Sequence, residues 1–356
     1  MSHDEREQPP EELLVEQPEG EIEAGGRWLR SYLEDLEQNQ LVICLSGGID
    51  SATTAMWAAR AVGPDRLILL GLPYAVENDD TARRGDEAES VELASAVVDR
   101  IREERGEPDF RVLDIAHTVD REAADSGLLD AMEGADEEHA RVWYGNLKAR
   151  IRGVRARTVA NVENALVLGT ENRTEYLLGY FTVDGDEQSD LGLLRAYLKT
   201  EVRQLAEVLD VPEEIRTRPP TAGLWRGQRD AEELGFSYGE ADRVLQHLFD
   251  RTRAGSSRTS PEQELTITGL PGVDPEVARR VLRRVQATAH KRRSTPFFQR
   301  GRSSPRASER GEAPRQGKPG RYSLETPLSE AQRRRLDRLR KRRDRDDDDD
   351  EQKYRR

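Results

Sequence analysis

The chain has 356 residues, of which 35% are charged, and a formal net charge of −13 at pH 7. This acidic balance argues against a general nucleic-acid-binding role, and no apolar run approaches the ~18 residues that a membrane-spanning helix needs. Cys44 is the only cysteine, which excludes an internal disulfide and a thiolate metal cluster within these residues.

Composition separates two polar ends from a central body. Residues 1–20 are acidic and contain three prolines. Residues 299–356 are rich in Arg, Ser, Pro and Asp and have almost no apolar side chains, so both ends are predicted to be disordered. The folded body is predicted to span residues 21–298. Since the N-terminus lacks the basic-then-apolar order of a signal peptide, we expect a soluble, cytoplasmic protein.

In chain order, the body begins with an amphipathic helix predicted over residues 22–38. Strands and helices then alternate. Apolar strand segments are predicted at 41–45, 66–71, 110–115 and 164–168, with helical patterns between them at 51–62, 84–104 and 139–160. The last part of the body is predicted to be helical, at 199–209, 237–250 and 274–289.

This alternation predicts an α/β fold. Strands that are apolar throughout and separated by helices indicate a doubly wound, mostly parallel sheet with helices on both faces. Ligands of such sheets bind at the carboxyl ends of the strands, near the point where the strand order reverses. Because residues 46–51 and 169–172 both follow strand ends, we expect them to face one another across one cleft.

The segment after the first strand predicts a phosphate-binding turn. Gly47 and Gly48 allow the backbone N–H groups to point inward, the flanking serines supply hydroxyl donors, and the next helix presents its positive N-terminal end. Asp50 would repel a phosphate unless a cation lay between them, so its presence predicts Mg²⁺ shared with ATP. The lysine-bearing phosphate loop with its Gly-Lys-Ser/Thr ending is absent from the sequence.

Lysine usage singles out three further residues. Six of the 56 basic residues are lysines, and only Lys148, Lys199 and Lys291 lie in the body. A lysine that persists where arginine predominates is expected to do what arginine cannot, such as presenting a compact point charge to a phosphate. Of the three, Lys148 is assigned a structural role.

The turn resembles that of the N-type ATP pyrophosphatases, which cleave ATP to AMP and pyrophosphate while activating a carboxyl or carbonyl oxygen. Further motifs narrow the resemblance to the ammonia-dependent NAD synthetases, over about residues 25–298, and imply an adenine nucleotide alpha-hydrolase-like fold. In order, these motifs are 145–150 (GNLKAR), 169–175 (GTENRTE), 179–182 (GYFT), 197–200 (YLKT), 220–228 (PTAGLWRGQ), 233–235 (ELG) and 290–293 (HKRR).

The resemblance implies roles for individual residues. The ATP phosphates would lie in the turn formed by Ser46, Gly47, Gly48, Ile49, Asp50 and Ser51. ATP would also be contacted by Thr170, Lys199 and Thr221. Mg²⁺ would be held by Asp50 and Glu175. The substrate deamido-NAD would be contacted by Arg150, Asp190, His290 and Lys291.

The chemistry that the resemblance implies needs no side-chain nucleophile. The nicotinate carboxylate of deamido-NAD attacks the α-phosphate of ATP, and ammonia then opens the adenylate to give NAD and AMP, so metal and positioning carry the rate. Free ammonia is the expected nitrogen source because Cys44 lies inside the ATP motif and cannot serve a glutamine-hydrolysing domain. Family members are homodimers with the substrate at the subunit interface, and the resemblance implies the same here.

The sequence departs from the family mainly on the dinucleotide side. Val183 stands where the family carries a substrate-contacting lysine, and the polar run 185–189 replaces a glycine-rich one. Cys44 and Leu193 also replace a usual glycine and proline. Two alternatives therefore stay open: an ATP pyrophosphatase with another carboxylate or carbonyl substrate, and a non-catalytic nucleotide-binding paralogue whose tail recruits partners.

Overall fold

The computed structural model describes residues 13–34, 36, 38–74, 81–225, 227–252 and 272–292. The predicted C-terminal tail and residues 1–12 lie outside these ranges. Among the described helices, none is long and apolar enough to cross a membrane.

Five strands form one sheet, and every strand pairing in it is parallel. The strands are β1 (Leu41–Cys44), β2 (Leu67–Gly71), β3 (Asp109–Val112), β4 (Leu166–Gly169) and β5 (Leu191–Gly192). The first four were predicted to within a few residues, whereas β5 was missed because two residues give no periodic pattern. The order β3-β2-β1-β4-β5 reverses at β1, which confirms the doubly wound arrangement.

Within the described residues, six helices precede β4. They are α1 (Pro18–Glu34), α2 (Ile49–Val62), α3 (Thr81–Arg105), α4 (Ala116–Asp125), α5 (Leu128–Glu133) and α6 (Glu137–Glu163). Six further helices of the described part follow β4. They are α7 (Arg173–Leu178), α8 (Lys199–Val208), α9 (Glu213–Arg216), α10 (Asp230–Leu234), α11 (Tyr238–Thr252) and α12 (Pro275–Ala287). The long helices match the predicted segments, while α4, α5, α7, α9 and α10 were not predicted.

Helices cover both faces of the sheet, as predicted. Because successive strand side chains point to opposite faces, Leu41 and Ile43 pack in one buried cluster with α1, α2, α3 and α8. Val42 between them packs in a second cluster with α4 and α6. A third cluster joins α10, α11 and α12 to Leu178 and Leu198, so the C-terminal helices pack against the segments that leave β4 and β5.

The packing extends into the segment predicted to be a disordered N-terminus. Leu13 is buried, and the Val15 N–H donates to Gln204 Oε1 at 2.8 Å. The first helix begins at Pro18 rather than at residue 22. Apolar Leu13 and the backbone of Val15 thus have partners in the body, which an acidic average composition did not reveal.

Trp57 ties α1 to α2 inside the core. Its side chain is fully buried, and its Nε1–H donates to the Ile22 carbonyl at 2.8 Å. A Cβ atom at Gly25 would lie 2.3 Å from the Trp57 ring, so the absence of a side chain there lets the two helices approach.

Replacing Trp57 by Phe should destabilise the fold. The change removes the indole N–H and leaves the Ile22 carbonyl buried without its partner, which costs about 1–3 kcal/mol. Urea unfolding of the full chain measures the loss. The matched control is Trp28→Phe, since Trp28 is 44% exposed and its change should stay within about 0.5 kcal/mol. Equal losses in the two variants would contradict the assigned role of the buried indole.

Candidate active site at the carboxyl ends of β1 and β4

The reversal of strand order creates a crevice between two adjacent strands. The chain leaves β1 towards α2 and leaves the neighbouring β4 towards α7. In a parallel sheet, the connections diverge at such a point and leave space for a ligand beyond the strand ends. The turn 46–51 and the segment 169–172 therefore meet at one crevice, as predicted.

The turn 46–51 is stabilised by hydrogen bonds of its own hydroxyl groups. Gly47 has φ of 74°, and a Cβ atom there would lie 2.8 Å from the Ser90 carbonyl oxygen, so glycine is required. Ser51 Oγ donates to the Gly48 carbonyl at 3.0 Å and accepts the Ser46 N–H at 3.2 Å. Since α2 begins at Ile49, directly after Gly48, the turn presents a helix N-terminus, where phosphate is stabilised.

Lys199 lies between two carboxylates from different elements. Its Nζ donates to Asp50 Oδ2 in the first turn of α2 and to Glu175 Oε1 on α7 at 3.0 Å. Lys199 is 3% exposed. The prediction that Asp50, Glu175 and Lys199 share one site is thus supported by direct contacts between side chains that lie 24 to 149 residues apart.

Asn172 completes this group from the start of α7. As the N-cap residue it accepts the Glu175 N–H on its side-chain oxygen at 2.9 Å, and its Nδ2 donates to Asp50 Oδ1 at 2.8 Å. Its backbone N–H in turn approaches Glu175 Oε2 at 3.5 Å, which closes a capping box. The sequence Asn-x-x-Glu therefore begins the helix and orients both acids.

Burial governs the electrostatics of the group. It raises the pKa of Glu175, an effect that the Lys199 ammonium opposes. Burial also works to lower the pKa of Lys199, but the charges of Asp50 and Glu175 outweigh it and raise that pKa. Lys199 is consequently a permanent cation in the site.

Asp242 was not singled out by the sequence, yet it joins the helices that carry the site. This fully buried acid on α11 accepts the Thr200 N–H at 2.8 Å and the hydroxyl of Thr174. The same hydroxyl accepts the Lys199 N–H at 2.9 Å. Burial raises the pKa of Asp242 to about 6. Its only sequence signal was an acid within an otherwise apolar helical face.

The segment that carries Thr221 is anchored by a hydrogen bond to Asp230. Thr221 is exposed, and the next N–H, of Ala222, donates to buried Asp230 at 2.9 Å. Asp230 also accepts the Tyr238 hydroxyl at 3.0 Å, and the Tyr238 ring lies 5.0 Å from Lys199 Nζ. Thr170 directly follows β4 at the crevice. Both threonines thus lie on segments adjoining the crevice.

The predicted dinucleotide contacts fall into two groups. Arg150 Nε donates to the Val183 carbonyl at 3.3 Å, and Lys291 Nζ donates to the Gly179 and Phe181 carbonyls at 2.8 and 2.7 Å. The side chains of both cations therefore contact the backbone of the segment that follows α7.

The other two predicted contacts, Asp190 and His290, bond to partners other than those three backbone carbonyls. Asp190 pairs with Arg157 and accepts the Val167 N–H of β4 at 2.8 Å, and His290 is exposed with its Nδ1 3.1 Å from the Ala287 carbonyl. Asp190 thus has a structural task at the β4 edge.

The carboxylates of Asp50 and Glu175 fit a magnesium ion whose remaining ligands would come from a bound nucleotide. Across the described residues, no group of three or more His, Cys, Asp or Glu side chains could hold a metal by itself. Magnesium is commonly held by one or two carboxylates together with substrate phosphates and waters. Asp50 and Glu175, converging on one cation beside an anion-binding turn, match that donor set.

Comparison with known proteins decides the family. The family model described as NAD synthase matches residues 21–295. The chain belongs to the NAD synthase family. Its relatives include the NH(3)-dependent NAD(+) synthetases of Hyperthermus butylicus, 35% identical over 80% of this chain and 92% of the relative, and of Pyrococcus furiosus, 36% identical over 74% and 90%. The predictions of family and of ligase class are confirmed.

Solved structures support the same fold. The NMN synthetase from Francisella tularensis is 27% identical with a TM-score of 0.57, covering 79% of this chain and 99% of that one. The NAD⁺ synthetase from Burkholderia pseudomallei is 27% identical with a TM-score of 0.55, covering 79% and 93%.

This member of the NAD synthase family also buries an acid next to Thr170. Glu171 is 8% exposed, and its Oε2 lies 2.6 Å from Arg195, whose guanidinium lies 4.5 Å from the Tyr176 ring centre. Burial raises the pKa of Glu171 to about 8, although Arg195 acts to lower it. Sequence reasoning did not single out either residue of this pair.

The Glu171→Gln variant should change how stability depends on pH. A folded-state pKa near 8 lies above the unfolded value of about 4.3, so the folded protein loses stability as pH rises between these values. The slope from this group is at most about 1.4 kcal/mol per pH unit. Glutamine cannot ionise, so the free energy of unfolding of the variant should rise relative to that of the wild type from pH 5 to pH 9.

Urea unfolding at pH 5, 7 and 9 measures the effect. Glu207→Gln, at an exposed position of α8, is the control and should follow the wild type. A Glu171→Gln curve that runs parallel to the wild-type curve would contradict the assigned burial cost.

Proposed function

We propose that this enzyme amidates deamido-NAD with ammonia, using ATP and forming an adenylated intermediate. The observation that carries the proposal is the Lys199 ammonium held between Asp50 and Glu175 beside the glycine turn. Membership of the NAD synthase family and the names of its relatives support the choice of reaction.

The reaction takes place in two displacements. A carboxylate oxygen of the acceptor attacks the α-phosphorus of ATP, the bond to the β-phosphate breaks, and pyrophosphate leaves. Ammonia then attacks the carbonyl carbon of the acyl adenylate and loses a proton, and AMP leaves to give the amide. Both nucleophiles belong to substrates, so positioning by the protein supplies the rate.

The residues of the crevice stabilise the charge that develops on phosphate. The N–H groups and hydroxyls of the turn 46–51 are arranged before binding, so little reorganisation is needed during the reaction. Lys199 supplies a positive charge that persists because its pKa is raised. Asp50 and Glu175 would hold Mg²⁺, which supplies electrostatic stabilisation to the phosphates when bound.

Free ammonia is the proposed nitrogen donor. Glutamine hydrolysis needs a reactive thiolate, and burial raises the pKa of Cys44, the only cysteine of these 356 residues, to about 11. A thiol with this pKa stays protonated and unreactive near neutral pH.

We also propose a homodimer with the acceptor near its interface. On α6, Trp143 and Val154 are 39% and 55% exposed, and the helical period places Arg150 on the same face. Exposed apolar side chains beside a predicted substrate contact are typical of an interface. Light scattering of the full chain tests the assembly.

A second acceptor is favoured by one specific observation. Val183, which is 36% exposed, replaces the lysine that the family directs at its dinucleotide, and one similar structure is that of an NMN synthetase. The same ATP chemistry on nicotinate mononucleotide, the deamidated form of NMN, would need no change around Lys199.

A product assay separates these possibilities. The full chain is incubated with ATP, Mg²⁺ and ammonium, with either deamido-NAD or nicotinate mononucleotide, and the products are identified by mass. We expect NAD, AMP and pyrophosphate in equal amounts. Asp50→Asn should reduce kcat by about 100-fold or more, whereas Asp65→Asn, at an exposed position, should not. Amide formed only from the mononucleotide would select the second acceptor, and no product from either would favour a non-catalytic protein.

Val183→Lys tests the dinucleotide directly. A lysine restored at this exposed position should add a charge-assisted contact and lower the KM for deamido-NAD roughly tenfold, equivalent to about 1.4 kcal/mol. The matched control is Val208→Lys on α8, since Val208 is 37% exposed. A KM for deamido-NAD that is unchanged or raised in Val183→Lys would count against this acceptor.

A further inference from the structure

Every carboxylate oxygen of Asp50 and Glu175 has a partner within the protein. Asp50 Oδ1 accepts from Asn172 Nδ2 at 2.8 Å, and Glu175 Oε2 lies 3.5 Å from the Asn172 N–H. The two remaining oxygens, Asp50 Oδ2 and Glu175 Oε1, both contact Lys199 Nζ. Each oxygen keeps a further lone pair, but a metal ion that bridges Asp50 Oδ2 and Glu175 Oε1 would lie where the Lys199 ammonium now lies.

The two partners differ in how easily they can be replaced. Asn172 is fully buried and is the N-cap of α7, so its movement would break the capping box that starts the helix. The backbone of Lys199 is also fixed, because its N–H donates to Thr174 Oγ1 at 2.9 Å. Its ammonium, by contrast, lies at the end of a four-carbon stem with three rotatable donors. The ammonium of Lys199 is the group that can leave.

Charge makes its departure necessary. In the metal-free protein the ammonium compensates part of the charge of two acids with side chains 16% and 17% exposed, as a buried pair of this kind requires. A divalent cation at the same oxygens would repel an ammonium that stayed there. The triphosphate in the adjoining turn would offer that ammonium a new anionic partner.

Building on the proposed function, we propose that Lys199 is an exchangeable counter-ion. Its Nζ occupies the acid pair until metal and nucleotide arrive, and it then transfers from the carboxylates to the phosphates. Two consequences follow. The metal binds weakly without nucleotide because it competes with Lys199, and metal and nucleotide strengthen each other because the nucleotide accepts the displaced ammonium.

The experiment measures Mn²⁺ binding by electron paramagnetic resonance, using the full chain at one pH, with and without a non-hydrolysable ATP analogue. In the nucleotide-free state, Lys199→Met should bind Mn²⁺ at least tenfold more tightly than wild type, because the competing ammonium is gone. Lys199→Arg keeps the positive charge, so its Mn²⁺ binding should stay as weak as that of the wild type. The control Lys148→Met removes a half-buried lysine away from the acid pair and should leave the affinity unchanged.

Thermal unfolding establishes that each variant is folded, and Lys199→Gln replaces Lys199→Met if the latter is not. Unchanged or weaker Mn²⁺ binding in the uncharged variant overturns the exchange, even when Asp50→Asn abolishes binding and so places the metal at the acids. If the wild type with nucleotide fails to bind Mn²⁺, or Asp50→Asn binds it normally, the exchange and the proposed metal ligands are both wrong.

Discussion

One buried ion cluster organises the crevice, and the rest of the site depends on it. Lys199, Asp50 and Glu175 come from the starts of α8, α2 and α7, so their contact fixes three helix N-termini around one point. Charged groups removed from bulk water are tolerated when they are paired and hydrogen-bonded. The pairing also directs positive helix ends and N–H groups into the same space. Asp242 repeats this logic beneath the cluster, where it joins α7, α8 and α11.

Much of this arrangement could be predicted from sequence, for identifiable reasons. Sequence predicted β1 and β2 because buried parallel strands are uniformly apolar. It predicted the turn 46–51 because paired glycines between a strand and a helix are typical of an anion-binding turn. The contact of Lys199 with Asp50 and Glu175 followed from motif resemblance rather than from spacing, since no local pattern connects residues so far apart. The two-residue β5 and the helices α5, α7, α9 and α10, of four to six residues, were missed because they have too few residues for a period. Asp242 and the Glu171–Arg195 pair were missed because their partners lie on other elements.

The scarcity of lysine proved informative beyond the site. Each described lysine places its Nζ where donors must converge on a small space: Lys199 on two carboxylates, Lys291 on the carbonyls of Gly179 and Phe181, and Lys148 against the Tyr74 ring at 4.1 Å with a donor to the Leu224 carbonyl at 3.3 Å. A planar guanidinium presents its donors in a fixed fork and cannot converge in this way. The structural role assigned to Lys148 from sequence agrees with these contacts, because they join α6 to the segment that carries Thr221.

The side chains on the two sides of the crevice differ in burial and in the number of bonds that hold them. On the proposed nucleotide side, Lys199, Asn172 and Asp242 are buried and are linked through shared partners. Lys199 and Asn172 both bond to Asp50 and Glu175, and Lys199 and Asp242 both bond to Thr174, so a change at any of the three disturbs several helices. On the acceptor side, Arg150 and Val183 are exposed, and their contact runs through a backbone carbonyl, which is indifferent to the side chain at position 183. Under the proposed function, substitutions can therefore accumulate around the acceptor while the proposed ATP-binding residues stay intact. This difference would account for the departure from the family pattern at Val183, and we expect acceptor choice to be the property that substitutions change most easily.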